Sequence, residues 1–260
     1  MDALYSSPTR AGAGRTLVFD MNAQPWQATA NTGLWLKPVR HDDAMGLYLG
    51  LVRFDAGTRS GMHQHQAVAT SFVVDGGLTD YHGSVKMHQA GINIKGSTHD
   101  AISYQHTVLA SRLEGPVLYP PESDITGVHA GSRYGNFSNL DPDVPPEINV
   151  EVDALARDSC GIAGVARQMI FDYHGTGTNH RMVQLNLRPG TALSFRAGAL
   201  TEFWVRGGAL HVAGQAAPAN SFVVCEPGAQ VELVSPFGAL LIAWAQGREE
   251  GSGGDLFGYA

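Results

Sequence analysis

The chain has only two cysteines in 260 residues, Cys160 and Cys225. They lie far apart and away from any histidine pair, which excludes a disulfide framework and a cysteine-based zinc knuckle. Two reduced, buried thiols are the expectation. Charge is sparse too: only 16% of residues are charged, with 17 basic against 24 acidic and a net charge of −7. A mildly acidic chain without basic runs lacks the clustered cations that phosphate contacts require, so a nucleic-acid partner is excluded. No apolar run approaches the roughly 18–20 residues of a membrane span. The opening segment MDALYSSPTRAGAGRTLVFD has no stretch of signal-peptide character. Cytoplasmic residence, with no membrane partner, is therefore expected. Helical periodicity is also missing, apart from one short segment near Val152–Ala156.

What is abundant is punctuation: 32 glycines and 13 prolines. With a hydrophobic share of 43%, that pattern favours many short strands and tight turns around real cores. Alternation of period two is clear at Leu49, Leu51 and Arg53, and again at Val183, Leu185 and Leu187. The two runs belong to halves that resemble each other. LYLGLVRFDAGT (Leu47–Thr58) precedes VVDGGL (Val73–Leu78); RMVQLNLRPGT (Arg181–Thr191) precedes WVRGGAL (Trp204–Leu210). The spacing is 19 residues from Gly57 to Gly76 and 17 from Gly190 to Gly207. Ordered recurrence of several elements points to duplication. Many short antiparallel strands with exposed edges imply closed barrels or sandwiches. The expected organisation is an all-β pair of barrels: 17–120, a connector over 121–158, a second barrel over 159–248 and a tail over 249–260. The tail looks flexible, although Leu256, Phe257 and Tyr259 offer a way to dock it.

Chemistry concentrates in the first half. In a strand, residues i and i+2 share a face, so His63 and His65 point together. His99, in GSTHDA, follows a hairpin and supplies a third imidazole. Three neutral imidazoles suit Fe, Ni, Cu, Zn or Mn, and an open coordination position is what catalysis needs. His82 is a further candidate ligand in an Asp-Tyr-His-Gly turn; His88 and His106 are weaker ones. Asp80 and Asp100 are candidates to hold a ligand imidazole, or else are solvated turn acids. Arg53 and Arg112 either face the barrel interior, to hold an anionic oxygen, or face outward and pair with Asp55 or Glu114. Met62, Phe72, Tyr81 and Tyr104 are candidate pocket residues.

The run Gly57-x5-His63-x-His65, then Gly76-Gly77, then Gly96-x2-His99, resembles the two motifs of the cupin superfamily. Its spacing is similar to that of the group containing anti-sigma-factor cupin domains, acetylacetone dioxygenase and 2,4'-dihydroxyacetophenone dioxygenase. The resemblance covers Trp35–Tyr119 well and Val165–Gly247 weakly. It implies a bicupin, two tandem double-stranded β-helix (jelly-roll) barrels, with one divalent metal in the first. The ligands it implies are His63, His65 and His99, with His82 as a fourth where relatives place an acidic ligand. Fe(II) is the ion the resemblance favours, with Zn, Ni and Mn as alternatives.

This sequence departs from the family at the glutamate ligand of the first motif, whose position is assigned here to Thr70. In the second repeat the histidine positions become Arg196 and Gly198, and the late one Val231, although Glu202 stands near the glutamate position. That repeat is read as metal-free. Its expected role is a packing partner, a dimerisation surface of a homo-oligomer (a homodimer) or a wall of the active site. The resemblance implies a dioxygenase cleaving a small diketone or hydroxy-ketone, with a small-molecule substrate. The alternative is a non-catalytic sensor or ligand-binding module.

Overall fold

A computed structural model of the chain describes residues 14–80, 83–119, 148–173 and 178–259. Apart from one turn of 3-10 helix at Val152–Ala154, the regular elements described are strands. None of them is a helix long and apolar enough to cross a membrane. The described residues divide into two compact units, one within 26–151 and the other formed by 14–25 together with 152–259.

In the first unit, alternating sequences become a seven-stranded antiparallel sheet. Its order is Ile148–Glu151, Gln89–Asn93, Ala69–Asp75, Thr107–Glu114, Leu47–Phe54, Leu34–Asp42 and Gln27–Ala28. A three-stranded sheet, Thr98–His99, His63–His65 and Val117–Leu118, carries the histidines. Gly77–Thr79 and Ser84–Lys86 form a separate hairpin. Phe54, Val73, Leu78, Val85, Ala101 and Leu109 make the inner core.

In the second unit the central strand is Thr201–Val212, which pairs with Ala239–Ala245 and Ser221–Cys225 early and with Gln215–Pro218 and Gln230–Ser235 late. Its interior is filled by aliphatic and aromatic side chains, among them Val183, Phe195, Phe203, Leu233 and Leu241. Cys160 and Cys225 are free and buried.

The two units repeat a backbone device. A register shift interrupts the pairing at Val108/Leu109 in the first and at Val205/Gly207 in the second. At this corner Gly76 and Gly208 have φ of 74° and 76°. A Cβ there would lie 2.2 Å from the His106 carbonyl oxygen and 2.1 Å from that of Gly238. Only glycine combines that conformation with that approach. The structural partner of Gly76 is thus Gly208, one residue beyond the Gly207 that spacing suggests.

Two further features differ from the sequence reading. Thr16–Asp20 pairs along its whole length with Ser221–Cys225, so it lies in the second unit and not at the start of the first. The tail is folded back. Leu256 and Phe257 are fully buried in the second core, and the Leu256 amide donates to the Glu249 carboxylate at 2.6 Å.

Candidate metal centre

His63 and His99 converge because they are direct partners across one antiparallel pair, with Thr98 opposite Gln64. His65 shares the face of His63 by strand alternation. The Gly96 turn ties the late histidine in place: the Gly96 amide donates to the His65 carbonyl at 2.8 Å, and the His65 amide to the Ser97 carbonyl at 2.9 Å. The result is three buried imidazoles whose Nε2 atoms face one another. His99 Nε2 is 3.0 Å from that of His63 and 3.1 Å from that of His65. They form the one cluster of three or more ligand-type side chains with the geometry to hold a metal ion among the described residues.

The donor set fits a cation. Metal–imidazole bonds of about 2.0–2.1 Å put neighbouring ligand nitrogens roughly 3 Å apart. His63 Nδ1 lies 2.7 Å from the Gly61 carbonyl; a carbonyl only accepts, so that nitrogen carries the proton and Nε2 keeps its lone pair. Burial, and then the neighbouring His99, lowers the His63 pKa to about 3. Burial and the other two imidazoles also hold His65 well below its ordinary value. Both rings are neutral at physiological pH, as ligands must be.

The missing glutamate is placed differently from the sequence reading. Leu109, Ser111 and Leu113 line the cavity at the histidines and pair with Val73, Ser71 and Ala69. Thr70, whose atoms also border the cavity, pairs with Arg112 and Phe72 with Ala110, positions that alternate to the other face of the strand. The inward position beside the histidines is therefore Ala69. The same holds in the second unit, where Phe203 and Val205 enter the core and Glu202 alternates to the other face. Arg196 is there turned outward, paired with Glu250 at 3.0 Å.

The histidines open on a cavity of about 410 Å³. Leu34, Leu36, Val52, Phe54, Leu109 and Leu113 supply its apolar wall, and Ser71, Asn93 and Ser111 its neutral polar groups. Among the described lining residues there is no lysine or arginine. Tyr119 stands beside His63, ring centroids 5.6 Å apart.

Of the other sequence candidates, His82 and Tyr81 lie outside the described residues. His88 stacks on Phe72, away from the histidine cluster, and His106 is exposed. Asp100 pairs with Arg59, whereas Asp80 reaches His99 Nδ1 at 3.6 Å. Arg53 faces outward between the Trp26 and Trp35 rings and near Asp55. Arg112 also leaves the cavity face and pairs with Glu114. Tyr104 is 72% exposed, so it lines nothing. The aliphatic wall was missed, although the alternation of its strands carries the pattern.

Residues 15–118 match the family described as the ChrR Cupin-like domain. No curated protein matches the chain by sequence. Among solved structures, a candidate dioxygenase from Nostoc punctiforme is similar at TM-score 0.69 and 12% identity, covering 92% of this chain and 84% of that one. Salicylate 1,2-dioxygenase from Pseudaminobacter salicylatoxidans is similar at TM-score 0.57 and 15% identity, over 77% and 71%. Oxalate decarboxylase from Bacillus subtilis is similar at TM-score 0.56 and 12% identity, over 88% and 75%. At these identities the likeness is one of fold. The match to a cupin family covers residues 15–118, and the all-β fold of the chain is similar to that of these cupin structures.

Proposed function

We propose that the chain is a metal-dependent cupin oxygenase whose divalent ion is held by His63, His65 and His99, and whose reaction cleaves a C–C bond of a small diketone or hydroxy-ketone. The observation that carries this reading is the meeting of three buried imidazole nitrogens at the wall of an apolar cavity. Fe(II) is the ion we favour. Such an ion would draw charge from a chelating enolate and bring it together with dioxygen.

The chain's own residues do the rest. The aliphatic wall gives the histidine face an apolar surround, and Asp42 and Asp43 in the same lining disfavour negative charge on the parts of a substrate that lie away from the ion. Ser71, Ser111 and Asn93 can hold a carbonyl or hydroxyl oxygen by neutral hydrogen bonds. A free carboxylate finds no lysine or arginine among the described lining, so the ion itself would be its main cationic partner there. Two of the similar folds bear dioxygenase names, and the Mn(II) centres of Bacillus subtilis oxalate decarboxylase are named in another.

Oxygen uptake by the Fe(II)-loaded protein, with small diketones and hydroxyacetophenones, tests the proposal. Uptake that is lost in the His63→Ala/His99→Ala double variant supports it. A second reading, a non-catalytic metal-binding sensor, is favoured by the match to the ChrR Cupin-like domain. Retained stoichiometric metal with no uptake for any ketone would select that reading.

A further inference from the structure

We propose that Asp80 is the positioning residue that makes His99 a metal ligand, an inference that rests on the three-histidine reading above. Asp80 follows the strand Gly77–Thr79, which is pinned by mutual hydrogen bonds between Thr79 and Ile102 at 2.9 and 2.8 Å. Its amide donates to the Gly83 carbonyl at 2.9 Å. The two carboxylate oxygens are then used differently. Oδ1 accepts from the Gly83 amide at 3.1 Å, while Oδ2 stands 3.6 Å from His99 Nδ1. Both side chains are more than nine-tenths buried, at 8% and 9% exposed.

The His99 ring thus lies between a carboxylate on its Nδ1 side and the other two imidazoles on its Nε2 side. Behind the carboxylate is a separate cavity of about 190 Å³ lined by Asp80, Ser84 and Asn149, with Leu78 and Ala101 forming the wall it shares with the larger one. A neutral imidazole offers one lone pair. Metal binding through Nε2 requires the proton on Nδ1, and a carboxylate facing Nδ1 favours that tautomer and fixes the ring's orientation. The Gly61 carbonyl does the same for His63. The Asp80 contact is longer than a hydrogen bond, but only by a few tenths of an ångström.

Asn at position 80 separates this role from simple turn support. Its amide oxygen must take the Gly83 N–H, so its NH2 group faces His99 Nδ1. A donor there forces Nδ1 to accept and moves the proton to Nε2, which blocks ligation while the turn survives. The test titrates Co(II) into metal-free wild type, Asp80→Asn, Asp80→Ala and His63→Ala/His99→Ala, following visible absorption and heat, with thermal melts of each unloaded protein.

Asp80→Asn is expected to melt like the wild type yet bind Co(II) about 10–100-fold more weakly, with an altered spectrum. Asp80→Ala should lose both turn stability and affinity. Wild-type affinity and spectrum in Asp80→Asn would overturn the positioning role while leaving the histidine site intact. A wild type that binds no more Co(II) than the double histidine variant would overturn the site itself, and Asp80's role with it.

Discussion

His63 and His99 are direct cross-strand partners, and their Nε2 atoms stand 3.0 Å apart. The strand pair alone brings these two together, and His65 joins them from the same face. The neighbouring strand Ala69–Asp75 should therefore admit a fourth ligand only at inward positions. Ala69→Glu is expected to slow transfer of bound metal to a chelator. Thr70→Glu, opposite Arg112 on the other face, is expected to leave that rate unchanged. Chelator-exchange kinetics on the two variants decide between them.

Acid should weaken the metal-free protein. Burial first, and the neighbouring His99 second, hold the His63 pKa at about 3, whereas an unfolded histidine titrates near 6.5. Between those values the unfolded chain binds the extra proton, so stability falls as pH falls. His63 alone implies a loss of about 2 kcal/mol between pH 7 and pH 5, and His65 adds in the same direction. Urea denaturation at the two pH values measures it. His63→Gln should flatten the dependence.

The thiols should be silent in the native state. Burial pushes Cys225 up to about 12 and raises Cys160 above its ordinary value. Only thiolates react readily with an aromatic disulfide reagent. At pH 8 we expect almost no titration of the folded protein within minutes, and both cysteines once it is unfolded. Rapid native reaction of Cys225 would contradict its placement.

The docked tail should be essential to the second barrel. Phe257 is fully buried, its ring centroid 6.1 Å from that of Phe203. Phe257→Ala is expected to cost about 3–5 kcal/mol, read as a lower denaturation midpoint. The solvent-exposed Phe237 provides the control, with little change on substitution to Ala.

Much of this was legible in the sequence, and the failures share a cause. The all-β class and the duplicated plan follow from alternation and recurring glycine turns, and the His63-x-His65 face follows from the period of a strand. Glycine spacing does not register a bulge. Because side chains alternate, a slip of one residue reverses the face. Reading Thr70 for Ala69 is such a slip, whereas Gly207 stands in for Gly208 because both units carry a Gly-Gly pair and only the fold shows which glycine holds the corner. The strand TLVFD carries no mark of its partner, since alternation is the same whichever edge it joins; its pairing with Ser221–Cys225 is a tertiary choice. Asp80 and Asp100 look alike as turn acids, and only the fold gives one to His99 and the other to Arg59.

Metal analysis of the purified protein after incubation with Fe(II) without oxygen tests the central claim most directly. One ion per chain is expected in the wild type, falling to a small fraction in His63→Ala/His99→Ala with the fold intact by circular dichroism. Equal metal content in the two proteins would contradict it.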